Sequence, residues 1–145
     1  MSPDPIAPEV TLRRTLAQYI HDQDMGVYKP SAPYVAGERG IYTTGDMPVA
    51  AGSDNALVLR SLQSIADGRA NMLYRVQIEY RIKGNGIAAE NLGAGLDLIL
   101  DQQEGVPPGL HISRCELFSF LPISADASGR TGGFKTYHFT GRRGL

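Results

Sequence analysis

The longest regular pattern in the chain is an alternation. Across 72–83 the even positions Met72, Tyr74, Val76, Ile78, Tyr80 and Ile82 are apolar or aromatic, and after Leu73 the odd ones are Arg75, Gln77, Glu79, Arg81 and Lys83. Successive side chains of a strand point to opposite faces, so this segment predicts a long strand with one covered face and one wet face. It suits the middle of an antiparallel sheet whose second face meets solvent, a channel or another subunit. Lys83, Gly84, Asn85 and Gly86 then break the pattern with residues that tolerate turn dihedrals. Beyond them Ala88, Leu92, Leu96 and Ile99 fall on one helical stripe with Leu100 beside it, while Glu90, Asn91 and Asp97 face away. A helix laid across the sheet it has just left buries both apolar surfaces.

The same reading extends to both sides of this unit. Pro8 and Glu9 open a helix that carries Val10, Leu12, Leu16, Tyr19 and Ile20 on a broad arc and ends within 21–24. A long loop at about 25–54 follows, rich in glycine, proline and alanine, with 40–44 as its one short extended candidate at a sheet edge. Loops of this length in small domains often cover a neighbour in an assembly, and a mobile flap costs little closure entropy. Residues 55–62 read as a strand, 63–69 as a turn, 112–121 as a strand limited by Pro122, 125–133 as a polar turn and 134–140 as a last strand. The expected fold is an α/β chain of the α+β type. It is a single domain over 1–145, with an antiparallel or mixed sheet of four to five strands and two helices packed on one face.

Composition narrows the function classes. At 145 residues and 42% apolar content the chain is the size of one domain with a real core. Lys plus Arg at 14 nearly balances Asp plus Glu at 15, so net charge supplies no general attraction to nucleic acid or an acidic membrane. The single cysteine, Cys115, has no intrachain partner for a disulfide and reads as a small buried hydrophobe, which fits a reducing compartment or a particle assembled in one. No window approaches eighteen uninterrupted apolar residues, and Met1, Ser2, Pro3, Asp4 and Pro5 do not resemble a secretory signal, so a soluble, unprocessed protein is expected.

Catalytic patterns are weak throughout. The glycines at 84–86 and 129–133 lack the Lys-Ser/Thr ending of a phosphate loop and the order of a dinucleotide fingerprint. The serines have no nucleophile-elbow setting, and His111 and His138 lack sequence partners for a triad or a metal site. His21, Asp22, Gln23 and Asp24 read as a solvated helix end rather than as ligands, and Asp97 and Asp101 share a helix face that reads as solvated. The expectation is therefore no enzyme and no catalytic, cofactor-binding or metal site. Arg13, Arg14, Arg75, Arg81, Lys83, Arg142 and Arg143 could form basic patches, but the alternation puts Tyr74 and Tyr80 on the face opposite the charges, which argues against a stacking platform. Such charges fit a solvated surface, an interface, or a pore through which DNA passes without specific binding.

A family likeness rests on four segments. They are the helix holding Leu12, Arg13, Arg14, Thr15 and Leu16; the strand from Tyr74 to Arg81; the helix with Ala89, Glu90, Asn91 and Leu92; and the turn 125–130 followed by the strand 134–139. In these the chain resembles the tail terminator proteins of long-tailed bacteriophages, which include minor capsid proteins of phages and prophages. Asp126, Gly129 and Arg130 match the turn, and Tyr137 and Phe139 the closing strand; Gly132, Gly133 and the insertion at 25–52 depart from the commoner pattern.

The resemblance implies a structural virion protein without reaction chemistry or cofactor. Its members form hexameric rings that cap the completed tail tube, stop its polymerisation and provide the surface for head–tail joining. The implied partners are further copies of the chain, the major tail tube protein and a neck or connector protein, with DNA only passing through the lumen and no membrane. The implied location is the tail end at the head–tail junction of the virion, assembled in the host cytoplasm. A cyclic ring needs two different surfaces on each subunit. The candidates for subunit interface or lumen are Arg75, Gln77, Glu79, Arg81, Lys83, Asp126, Arg130, Arg142 and Arg143. Alternatives are a head-completion or connector protein of the same neck, or a small nucleic-acid-binding module.

Overall fold

A computed structural model describes residues 5–49 and 53–145. Positions 1–4, on which the reading of the N-terminus rests, and 50–52 of the expected loop lie outside the described residues. The elements are α1 (Pro8–Asp22), β1 (Gly40–Tyr42), β2 (Ala56–Asp67), β3 (Asn71–Lys83), α2 (Gly86–Leu100), β4 (Gln103–Glu104), β5 (Ile112–Ile123) and β6 (Arg130–Arg142). The strands form one sheet in the order β1-β2-β3-β6-β5-β4, with β1 parallel to β2 and every other pairing antiparallel. The class is α+β with a mixed sheet, and the sheet has six strands where four to five are expected. The additional one is β4, whose two residues are too few to carry a periodicity.

Local chemistry sets the element boundaries. Pro8 stands in the first turn of α1, where its missing amide costs nothing, and Glu9 meets the positive helix end. Asn85 caps α2 by accepting from the Ala88 amide at 3.0 Å. The turn expected over 63–69 is a strand as far as Asp67. A register shift between Leu62 and Ile65 breaks the alternation there, and the chain reverses only around Gly68, whose φ is +77°. Likewise the turn expected up to 133 ends earlier, because β6 already begins at Arg130. Gly132 has to be glycine in that strand, since a Cβ would lie 1.8 Å from the Tyr80 carbonyl oxygen on β3.

The core lies on one side of the sheet. Tyr74, Val76, Ile78 and Tyr80 of β3, Leu57 and Leu59 of β2, Cys115 of β5, and Tyr137 and Phe139 of β6 join one buried cluster with Leu12, Leu16 and Ile20 of α1 and Leu92, Leu96 and Leu100 of α2. Both helices therefore pack on the face defined by the even positions of β3. Full burial of each such side chain contributes about 1.5–3 kcal/mol. The Tyr19 hydroxyl ties the helices together by donating to the Ile99 carbonyl at 2.9 Å. Among the described residues the opposite sheet face carries no helix, which leaves the odd positions of β3 to other neighbours.

Candidate assembly surfaces

On the helix-free face, register places Arg75 between Leu62 and His138, Gln77 between Arg60 and Thr136, Glu79 between Val58 and Phe134, Arg81 between Ala56 and Gly132, and Lys83 beside Arg130. Arg75, Gln77, Glu79 and Arg81 are half-buried and only Lys83 is exposed, so the expected wet face is largely shielded. Part of the cover comes from 43–49, which shares one depression with Arg60 and another with Glu79 and Arg81. Most charges are already paired within the chain. Arg60 meets Glu79 at 2.8 Å, Arg130 meets Asp54 at 2.9 Å with Lys83 at 4.0 Å from the same carboxylate, and Arg114 meets Glu116 at 2.7 Å. Arg81 donates to the Ser53 carbonyl.

Arg75 is different. It has neither an ion pair nor a side-chain hydrogen bond among the described residues, and its Nε is buried without an acceptor, as are the Arg81 Nε and Nε2 of the facing His138. The His138 ring stacks on Phe118 at 4.1 Å. Burial, and then the Arg75 charge, hold the imidazole pKa below its usual value against the opposing pull of Glu116.

The remaining candidates separate to the two ends of β6, about 40 Å apart at the rise of a strand. At one end Asp126 Oδ1 accepts from the Ser128 and Arg130 amides at 2.8 and 3.0 Å, and Gly129 supplies the positive φ of 76° that the turn requires. Those contacts, the Arg130 amide first, hold the Asp126 carboxyl below the usual carboxylate range. Arg130 is directed at Asp54 of its own chain. At the other end Arg143 donates to the carbonyls of Arg69 and Gly68 at 3.0 and 3.2 Å, bracing the β2–β3 turn. Arg142 is exposed, and its guanidinium makes no hydrogen bond among the described residues.

The sequence reading missed two apolar surfaces. The first is the far half of β5. β4 covers only Arg114 and Cys115, Asp101 takes the Leu117 amide at 2.8 Å, and beyond that no strand lies on the outer side of β5 among the described residues. On this free edge Phe118, Phe120 and Leu121 are 62%, 49% and 63% exposed. The second is the outer side of α2, where Ile87 and Leu98 are 66% and 77% exposed. Both had a signal. Apolar residues occupy both parities of 112–121, and α2 has only Glu90 and Asp97 as charged residues, a composition typical of a helix covered on all sides.

Asp97 is not on a solvated face. Its Oδ2 accepts from Lys135 Nζ and its Oδ1 from the Tyr137 hydroxyl, both at 2.6 Å, beneath α2. Lys135 is 4% exposed and Tyr137 fully buried, and the ammonium lies 4.8 Å from the centre of the Phe120 ring. The signal was Lys135 itself, on the same parity as Tyr137 and Phe139, because a lysine on a buried face needs a carboxylate. Asp101 also faces inward, toward β5.

Comparison with protein-family models and with curated proteins gives no match. Among the described residues, no three His, Cys, Asp or Glu side chains come together as a metal centre needs, and no helix is long and apolar enough to cross a membrane.

Proposed function

We propose that this chain is a structural virion protein of the tail terminator type, which forms a ring, caps the tail tube and offers the surface for head–tail joining. The observation that carries this reading is the free apolar edge of β5. A strand edge left unpaired, with three large exposed apolar side chains, is a hazard for a monomer and a ready surface for a neighbouring copy. Among the described residues the other side of the sheet also has an open edge, because β1, itself bridged at Gly40 by Val27, pairs only with residues 56–58 of β2. Two unlike edges on one subunit meet the requirement of a closed, head-to-tail ring. The helix-free face then turns toward the lumen or a neighbour. With Arg60, Lys83, Arg114 and Arg130 paired to carboxylates of their own chain, it lets DNA pass without gripping it. The partners on this reading are further copies of the chain, the major tail tube protein and a neck protein, in the virion at the head–tail junction.

The test is sedimentation and negative-stain electron microscopy of the purified chain, followed by co-sedimentation with purified tail tubes and with emptied heads. Six-fold rings that bind tubes and not heads are expected. A monomer at every concentration, with or without tubes, would overturn the proposal, and binding to heads alone would reassign the chain to head completion.

A further inference from the structure

Between α2, the second half of β5 and the first half of β6 lies a cleft of about 560 Å³, within the size range of small-ligand sites. Its walls are Ala89 and Ala94 of α2 on one side, and Phe120, Pro122 and Ile123 of β5 on the other. At its floor the Tyr80 hydroxyl reaches between two glycines. A Cβ at Gly93 would stand 2.8 Å from that oxygen, and one at Gly133 would stand 3.0 Å from it. Tyr80 is 2% exposed and lines the cleft, yet among the described residues its hydroxyl has no hydrogen-bond partner. The oxygen is not among the side-chain atoms sealed from solvent without a partner, so it is open to the cleft, which therefore offers a donor that no group of the chain takes up. Burial first, and then Asp97, push its pKa up to about 12, which keeps the proton in place across the physiological range.

The electrostatics select the ligand's charge. Lys135 and Asp97 both line the cleft and neutralise each other, and Glu90 stands at the rim. An anion would meet Asp97 and Glu90 with no free cation to offset them, because the one ammonium in the cleft is already held by Asp97. Phe120 lies nearly parallel to the Tyr80 ring at 6.4 Å with the Lys135 ammonium 4.8 Å from its centre, and its exposed half adds an apolar wall to the cleft. We propose that this cleft binds a neutral organic group, an aromatic ring bearing one hydrogen-bond acceptor such as an amide carbonyl, with the acceptor on the Tyr80 hydroxyl and the ring against Phe120. All the groups named belong to one chain, and because Phe120 also stands on the β5 edge given above to a neighbouring copy, the site is tested on the unassembled protein.

Benzamide, with benzoate as its charged counterpart, is the probe, titrated into the uniformly 15N-labelled protein and followed by amide shifts. Expected are saturable shifts confined to 86–97, 118–123 and 130–135 for benzamide, and at least tenfold weaker binding of benzoate. Tyr80→Phe removes an oxygen that bonds nothing else in the chain, and should weaken benzamide about five- to tenfold. Ala94→Leu, at an exposed helix position that accepts leucine, should plug the cleft and abolish the shifts. The proposal is overturned if millimolar benzamide gives no saturable shifts, if benzoate binds as well, or if both variants bind like the wild type. Binding that disappears as the protein self-associates would also overturn it, by assigning the cleft to a neighbouring copy.

Discussion

Removing the Asp97 carboxylate is the sharpest perturbation of this fold. In Asp97→Ala the Lys135 ammonium stays in a site that leaves it 4% exposed, with no counter-charge, and the fully buried Tyr137 hydroxyl loses its acceptor. Breaking a buried ion pair from one side costs about 3–5 kcal/mol. The Asp97 side chain is itself 31% exposed, so water reaches part of the site and the low end applies, about 3 kcal/mol with the orphaned hydroxyl included. For a domain of this size that lowers Tm by roughly 10 °C. Urea unfolding followed by far-UV circular dichroism should show a lower midpoint with unchanged slope. Adding Lys135→Met removes the stranded charge and should recover at least half of the loss, because an apolar side chain of similar length is welcome where an unpaired ammonium is not. A loss under about 1 kcal/mol in Asp97→Ala, or a Lys135→Met change that deepens the loss, would refute the account.

Three further outcomes follow from other parts of the molecule. Gly132→Ala forces a Cβ to within 1.8 Å of the Tyr80 carbonyl oxygen in the centre of the sheet, so it should cost about 3 kcal/mol or more in the same urea assay, while Gly129→Asn, at a positive-φ turn position, should cost far less. His138 has a folded pKa below its usual 6.5, so the unfolded chain takes up the proton first: stability is full above pH 6.5 and falls on acidification until the folded pKa is passed. His138→Phe should remove that part of the pH dependence of the urea midpoint. Leu121→Lys, at a side chain 63% exposed, should leave stability within about 0.5 kcal/mol and abolish self-association in sedimentation velocity, whereas the same change on an interface-free surface would leave the assembly intact.

The legible parts of the sequence were those where one periodicity ran uninterrupted. β3 sits between two strands and under two helices, so its even positions had to be apolar throughout, and the pattern reads directly onto the core. The second half of β2 was hidden by the shift between Leu62 and Ile65, which moves the later side chains to the opposite parity. The first residues of β6 were hidden because Gly132 and Gly133, needed for close backbone approach, look like turn residues. Asp97 was misplaced because a helical wheel counts a carboxylate as solvent-facing, whereas its partner, Lys135, comes from a strand 38 residues later. Of the nine candidate interface residues, the odd row of β3 does share one face, but Asp126, Arg130 and Arg143 are engaged within their own chain, and the exposed apolar edge of β5 was not among them.

The position of β6 also governs how the chain comes together. It is made after β5 but lies inside it, between β5 and β3. Its pairing with β3 joins residues from 47 apart, at Lys83 and Arg130, to 71 apart, at Asn71 and Arg142. Such long closures are entropically slow, placing folding toward the millisecond-to-second end of the range for domains of this kind. Until β6 emerges from the ribosome, β3 has one open edge, and α2 lacks the strand it chiefly packs against. The half-made chain therefore exposes adhesive surface for longer than its size suggests, and a break anywhere before residue 130 would remove the middle of the sheet rather than its margin.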